Sequence, residues 1–312
     1  MAHTVLVTGG AGFIGSHLVE ALVARGERVR VLDSFDDFYD PAAKERNLAA
    51  VAGRVELLRA DLLDPVAVAR AVEGVGCVVH LAARAGVRRS LLDPVPYMQV
   101  NVAGTQVLMQ AMRVAGVRHL VAASSSSVYG ARTRGPFRES DPLGVAASPY
   151  AASKQAMEAV CRTWQRLYGC DLTLLRFFTV YGPRQRPDMA IHGFARKIQA
   201  GQPITMFGDG GSLRDYTFVG DIVRGLLAAV DTPLPGEVLN LGNTRPVRLD
   251  TLIACLGRAL GREVKVEQAG EQAGDVPLTW ADVSRARELL GYAPTTDLEE
   301  GLAAFVRWLE TA

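Results

Sequence analysis

Four consecutive hydroxyls, Ser124, Ser125, Ser126 and Ser127, and a tyrosine and lysine four residues apart, Tyr150 and Lys154, are the groups in this 312-residue chain best suited to moving a proton. A free phenol titrates near ~10, so a tyrosine acting as base near neutral pH needs its anion favoured by about three units, roughly 4 kcal/mol. A lysine ammonium one helical turn away pushes in that direction. YxxxK on an amphipathic helix also arises by accident, and the serine cluster upstream is what gives the pair weight.

Two elements must position these groups. HLVAASSSSVYG reads as a buried strand, with Leu120, Val121, Ala122 and Ala123 as its apolar run and the serines at its carboxyl end. That is the edge at which open α/β sheets bind their ligands. ASPYAASKQAMEAVCRTWQRLYG opens with a helix start, Ser148 as N-cap and Pro149 at the first helical position, which sets Tyr150 and Lys154 side by side.

The amino-terminal stretch HTVLVTGGAGFIGSHLVEALVARG reads as strand, glycine turn and helix, the strand through Val5, Leu6 and Val7 and the helix from about Phe13 to Ala24. Gly9, Gly12 and Gly15 form GxxGxxG: a tight turn, a close approach for a pyrophosphate at the helix start beside Phe13 and Ile14, and close helix-to-strand packing. RVRVLDSFDD follows as a second strand ending in Asp33, at the spacing of a ribose-binding acid. Asp36 and Asp37 follow, and no arginine stands beside Asp33 to meet a 2'-phosphate, so NAD is favoured over NADP. A cationic nicotinamide would add to the pull of Lys154 on Tyr150. In the third strand region, RVELLRADLLD, Asp61 and Leu62 are placed to meet an adenine. CVVHLAARAGV is the fourth strand, and Leu81, Ala82 and Ala83 offer a small-residue floor for diphosphate and ribose. His80 reads as a hydrogen-bonded core histidine, and no residues around it have metal-ligand spacing, so no metal is expected. RRSLLDPVPYMQ reads as a proline-marked loop. VNVAGTQVLMQAMRVAG returns to a helix, with Asn101 near its start as a polar contact to the cofactor and reacting centre.

Composition bounds the rest. At 49% hydrophobic the chain can bury a large core, in two lobes, and a net charge of +1 gives no reason to expect nucleic acid or membrane as partner. Charges interrupt every apolar stretch before spanning length, and a strand begins almost at Met1, so a cytoplasmic protein is expected. Cys77, Cys161, Cys170 and Cys255 show no CxxC pairing and read as reduced packing residues.

TGGAGFIGSHL, SSSSVYG, SPYAASK, RFFTVYGP and RDYTFVGDIVRG together resemble the extended short-chain dehydrogenase/reductase family, in its nucleotide-sugar branch, across essentially the whole chain. Within that branch, RFFTVYGPRQRPDMA and AGVRRSLLDP are most similar to the 4-epimerases of UDP-glucuronate. The resemblance implies an α/β protein: a Rossmann-type, doubly wound parallel sheet holding NAD over residues 1–181, with later segments near 215–245 returning to it, and a smaller α/β domain over 182–312 that binds a UDP-sugar. It implies a homodimer joined through helices at about 101–115 and 150–168. It also implies Tyr150, Lys154 and Ser125 as the catalytic set. Arg214 would meet the diphosphate, Thr205 and Phe207 the uracil, and Asp275 the uridine end, with Met189 on the substrate side. Related enzymes often carry arginine three residues before that Asp, where this chain has Gln272.

The reaction follows from what is missing. Dehydratases and many decarboxylases of the family carry an acid close after the catalytic hydroxyl, and SSSSVYG has none, so one proton removed and returned, with reversible oxidation by NAD, leaves epimerisation at C4. Thr179 stands where galactose epimerases typically have Asn, and with Ser126 and Ser127 it could ring a C6 carboxylate, Arg186 or Arg88 supplying a charge. Alternatives are a UDP-glucose/UDP-galactose 4-epimerase, a UDP-glucuronate decarboxylase, and a catalytically silent NAD-binding regulator.

Overall fold

A computed structural model describes residues 4–270, 272 and 274–311. The apolar runs become strands β1 (Thr4–Thr8), β2 (Arg28–Asp33), β3 (Glu56–Arg59), β4 (Val75–His80), β5 (His119–Ser125) and β6 (Asp171–Phe177). Strands β7 (Thr179–Tyr181), β8 (Ile204–Phe207) and β9 (Leu213–Phe218) leave that sheet, β10 (Pro235–Leu241) returns to it beside β6, and β11 (Pro246–Arg248) and β12 (Val266–Ala269) leave again. The resulting seven-stranded sheet is parallel throughout, in the order β10-β6-β5-β4-β1-β2-β3. A three-stranded sheet, β11-β9-β7, and the pair β12-β8 build the second lobe.

Alternation along each central strand feeds two cores. Val5, Val7, Val31, Val79 and Val121 face the helices Phe13–Ala24 and Val219–Asp231, while Leu6, Leu32, Val78, Leu120 and Leu172 face Pro65–Val72, Thr105–Ala115 and Pro149–Tyr168. Burial on both faces is what continuous Val/Leu runs in a parallel sheet require. The second lobe has its own cluster around Tyr181, Ile191, Leu252, Leu302 and Phe305. Strand order reverses between β1 and β4, which opens a crevice at their carboxyl ends.

The helix Pro149–Tyr168 starts as its sequence dictates: Ser148 Oγ accepts from Ala151 N at 3.1 Å, Pro149 lies in the first turn, and Gly169 ends it at φ +67°. One reading is overturned. RRSLLDPVPYMQ is not a loop but two short helices, Val87–Leu92 and Val95–Met98, that run on into a widened π segment, Gln99–Gly104, before Thr105–Ala115. The prolines mislead because Pro94 caps the second helix and Pro96 lies in its first turn, where a missing N–H costs nothing.

His80 is held inside the core, Nδ1 at 2.7 Å from Thr8 Oγ1 and Nε2 at 3.0 Å from Thr105 Oγ1, and burial pushes its pKa down to about 3. All four cysteines are free, three buried and Cys170 half-buried. Among the described residues no helix is long and apolar enough to cross a membrane, and no three His, Cys, Asp or Glu cluster as a metal site would need.

Candidate active site

A cavity of about 570 Å³ runs along the carboxyl edge of the sheet from Asp33 at one end to Asp275 at the other. At the first end, Gly9 turns at φ +70°, and a Cβ there would stand 2.7 Å from Ala82 N; a Cβ on Gly15 would meet Gly9 O at 2.2 Å. Only glycine lets the turn close this tightly between β1 and β4. The helix that follows has Gly12 as its N-cap, no side-chain cap and no acid in its first turn. The amides opening that helix at Phe13 and Ile14 therefore face an uncompensated helix start, which suits a pyrophosphate. Gly9, Gly12, Phe13, Ile14, Gly15, Asp61, Leu62, Leu81, Ala82 and Ala83 all line the cavity.

Asp33 lines it too, but its carboxylate is also structural: Oδ2 accepts from Ala11 N at 3.0 Å and Oδ1 from Phe35 N at 2.9 Å. Burial raises its pKa against those bonds and against Lys44, whose Nζ lies 4.0 Å away. Lys44 is itself buried and bonded to Asp36. Sequence reading missed this lysine, although Asp40 and Pro41 mark the start of the helix Pro41–Leu48 that carries it. Asn101 is a correction. It is 1% exposed and does not line the cavity; its amide accepts from Arg84 N (2.8 Å) and donates to Arg84 O and Ser153 Oγ (both 2.9 Å). It anchors the segment after β4, and its amide is fully engaged by the protein.

At mid-cavity the structure separates the four serines. Ser125 Oγ accepts from Ser127 N (3.2 Å) and from Ser127 Oγ (2.9 Å), and lines the same cavity as the Tyr150 phenol. Ser124 turns inward to Glu158. Burial raises the pKa of the Tyr150 phenol, and the neighbouring Ser125 hydroxyl and the charge of Arg186 pull the other way. Lys154 is tied to the strand: its Nζ donates to Ala123 O at 2.8 Å, and burial pushes its pKa down to about 8. Desolvation dominates at both groups, and the charge that favours the phenolate here is that of Arg186 rather than the expected Lys154.

Thr179, Ser126, Ser127, Arg186, Met189, Arg88, Arg214 and Asp275 line the far end. Thr205 and Phe207 do not; Phe207 reaches the rim only through Arg88, whose guanidinium stands 5.2 Å from its ring centre and 3.9 Å from Asp275. Gln272 Oε1 is buried and has no hydrogen-bond partner among the described residues. Arg186 is held bidentate by Asp188, both contacts 2.9 Å, a partner that sequence reading did not foresee. Phe38 lies among the guanidiniums of Arg84, Arg89 and Arg186, at 5.4, 4.3 and 5.5 Å from its ring centre. Beside it the Tyr39 hydroxyl is buried, with no partner among the described residues, against the same cavity.

The loop that carries Arg186 is hooked to the glycine-turn helix, His17 Nε2 lying 2.9 Å from Pro183 O and Arg184 pairing with Glu20. The loop bearing Arg186 is therefore tied directly to the helix that opens the cofactor end of the cavity. The NAD dependent epimerase/dehydratase family model matches residues 5–242. The chain is 42% identical over 328 residues to UDP-glucuronate 4-epimerase 1 of Arabidopsis thaliana, across 98% of this chain and 76% of that protein. The chain belongs to the NAD dependent epimerase/dehydratase family.

Solved members of this family share the fold closely. The UDP-glucuronic acid 4-epimerase of Bacillus cereus, in complex with UDP-glucuronic acid and NAD, superposes with a TM-score of 0.94 at 35% identity, covering 99% of both chains. DesIV of Streptomyces venezuelae, a dTDP-glucose 4,6-dehydratase with NAD and TYD bound, reaches 0.93 at 34% identity over 99% of this chain and 97% of that one. Backbone likeness therefore does not separate epimerase from dehydratase, and the side chains around Tyr150 must. Glu158, one helical turn past Lys154, is engaged by Arg176 and Ser124, and Asp188 on the cavity wall is engaged by Arg186.

Proposed function

We propose that this family member is a UDP-glucuronate 4-epimerase in which Tyr150 is the base, Ser125 its hydroxyl partner and Lys154 the neighbouring cation. The observation that carries the reading is one cavity lined by Tyr150, Ser125, three further hydroxyls, Ser126, Ser127 and Thr179, and the Arg186 guanidinium, with the Asp188 carboxylate tied to Arg186 and that of Glu158 to Arg176. Elimination of water needs a further acid/base at that point, and reversible oxidation does not.

The chemistry NAD supplies when bound is reversible hydride acceptance at C4. Tyr150 removes the C4 hydroxyl proton and later returns it, and Ser125 bonds the same oxygen and keeps the phenol aimed. The 4-keto sugar turns over between the two steps. Its ketone is β to the C6 carboxylate, an arrangement that loses carbon dioxide when the breaking bond aligns with the carbonyl π system. Directional donors from Thr179, Ser126, Ser127 and Arg186 hold the carboxylate out of that alignment. Arg88, Arg214 and Asp275 serve the nucleotide end, and Phe207 backs it from behind Arg88. Residues up to about 181, with β10, form the NAD lobe and the remainder chiefly the sugar lobe. A homodimer through the helices Thr105–Ala115 and Pro149–Tyr168 is supported by Val114 and Leu167, 77% and 64% exposed. Four free cysteines fit the reducing cytoplasm.

A second reading, epimerisation of UDP-glucose, is favoured by the Arg186–Asp188 pair, which neutralises the cation that a carboxylate would seek. Incubation with each sugar separately and no added cofactor, read by NMR, decides. UDP-galacturonate with little pentose from UDP-glucuronate is the expected product; turnover of UDP-glucose alone overturns the substrate and keeps the epimerase.

A further inference from the structure

The reacting groups sit on two elements, β5 and the helix Pro149–Tyr168, that meet edge to face, and their separation has to be fixed to a fraction of an ångström for proton transfer. Two ties do this. Lys154 Nζ donates to Ala123 O at 2.8 Å, and one turn further along the same helix face Ser124 Oγ donates to Glu158 Oε1 at 2.5 Å. The ties thus grip consecutive residues of β5, and Ser125 is the next residue on.

Glu158 is in turn gripped from β6. Arg176, register partner of Ser124 in the β5–β6 ladder, donates from Nε to Oε1 at 2.9 Å and from Nη2 to Oε2 at 2.7 Å, and lies over the Tyr129 ring at 4.8 Å. Tyr129, whose hydroxyl donates to Asn240 Oδ1 at 2.7 Å, extends the chain of contacts to β10. Ser124, Glu158 and Arg176 are 3%, 2% and 2% exposed. Burying a charge pair so completely stabilises no more than a well-packed apolar set of the same shape would, whereas its fork geometry fixes direction. A greasy core would hold the helix on the sheet but let it slide; a bidentate fork and a short hydroxyl bond do not.

We propose that Ser124, Glu158 and Arg176 form a positioning set that fixes the strand end bearing Ser125 against the helix bearing Tyr150 and Lys154. None of the three touches the reacting atoms; they act through Ser125 and Lys154. The proposal rests on the catalytic reading given above, and the test separates the two.

The NAD-loaded protein is compared with Ser124→Ala, which removes the short tie and leaves the ion pair, and Ser124→Thr, which restores a hydroxyl. Amide hydrogen exchange at residues 123–127 reads the tie without any substrate; kcat and KM with UDP-glucuronate, or with UDP-glucose should the wild type use that sugar instead, read its consequence. In the alanine variant exchange should quicken about tenfold and kcat should fall about tenfold with KM within about twofold, as loss of one hydrogen bond to a charged group predicts, and threonine should recover most of both. Unchanged exchange in the alanine variant, or faster exchange with wild-type kcat, overturns the positioning role. Should the alanine variant fail to fold, Glu158→Gln, which keeps the shape and removes the charge, gives the same two readouts with the same outcomes. A wild type inert to both sugars fails at the catalytic reading, before any variant is compared, and takes this role down with it.

Discussion

Gly15→Ala sets two effects of known sign against each other. Gly15 is in the first turn of the helix Phe13–Ala24 with no positive φ, so alanine should help the helix by about 1 kcal/mol. The new methyl, however, would stand 2.2 Å from Gly9 O and 2.8 Å from Gly10 Cα. Those are backbone atoms of the turn, which cannot rotate away as a side chain would, so turn and helix must part by about 1 Å to reach ordinary contact. Overpacking of this kind costs about 1–3 kcal/mol, which exceeds or cancels the helix gain. At roughly 2–4 °C per kcal/mol for a chain of this size, unfolding should shift down by a few degrees at most. Cofactor binding should suffer far more, because the same displacement moves the opening amides of the helix, and misplacement by about 1 Å in a preorganised site costs up to about 100-fold. The assay is calorimetric titration of NAD into stripped protein alongside thermal unfolding. A variant that binds NAD as the wild type does and melts at or above it would refute both the close approach and the role given to the turn.

Tyr150→Phe keeps the edge contact with Tyr97, whose ring centre is 6.1 Å away, and removes only the proton acceptor. Turnover should fall by about 100- to 10,000-fold with NAD still bound, and near-normal rates would unseat the base. Thr179→Val keeps the branched shape of a strand residue and removes one donor to the sugar carboxylate. Epimerisation of UDP-glucuronate should slow about tenfold and UDP-pentose should appear, by NMR, where the wild type gives little; a variant with no pentose removes Thr179 from the restraint. Lys154 gives a pH signature in stripped protein: the unfolded lysine keeps its proton to about 10.5 and the folded one only to about 8. Between those values the unfolded state binds more protons, so stability rises with pH, and the deficit is complete below pH 8. Lys154→Met should flatten that rise in unfolding midpoint; parallel curves for the two proteins would show that burial does not depress the ammonium.

Local signals carried most of the fold. The helix Phe13–Ala24 and the capped start at Ser148 could be read to the residue because glycine turns and Ser-Pro caps are short-range chemistry. Proline was the exception: at residues 94 and 96 it opens a helix, and only the packing of the next turns distinguishes that from a loop. The site divided along the same line. Which serine faces the cavity depends on the pleat of β5 and on Glu158, 34 residues on, and neither is visible in a run of four identical residues. Asn101 looked available to a ligand because its partners, Arg84 and Ser153, are distant in sequence. Asp188 was overlooked because a charge in a loop-like stretch gives no periodic signal, and Lys44 because the helix start at Asp40 and Pro41 was not read.

The return of β10 to the edge of the main sheet bears on how the chain is made. During synthesis β6 emerges long before its outer neighbour, since β7, β8 and β9 are laid down first. Until β10 leaves the ribosome, β6 presents an unpaired edge on a strand rich in buried Leu172, Leu174, Leu175 and Phe177, the kind of surface that joins the wrong chain. Arg176 lies on that strand and its fork to Glu158 crosses to the helix above, so it can form before β10 is available. A truncated product that stops between β6 and β10 should therefore be prone to aggregate, and the second lobe serves the first as the tether that delivers its last strand.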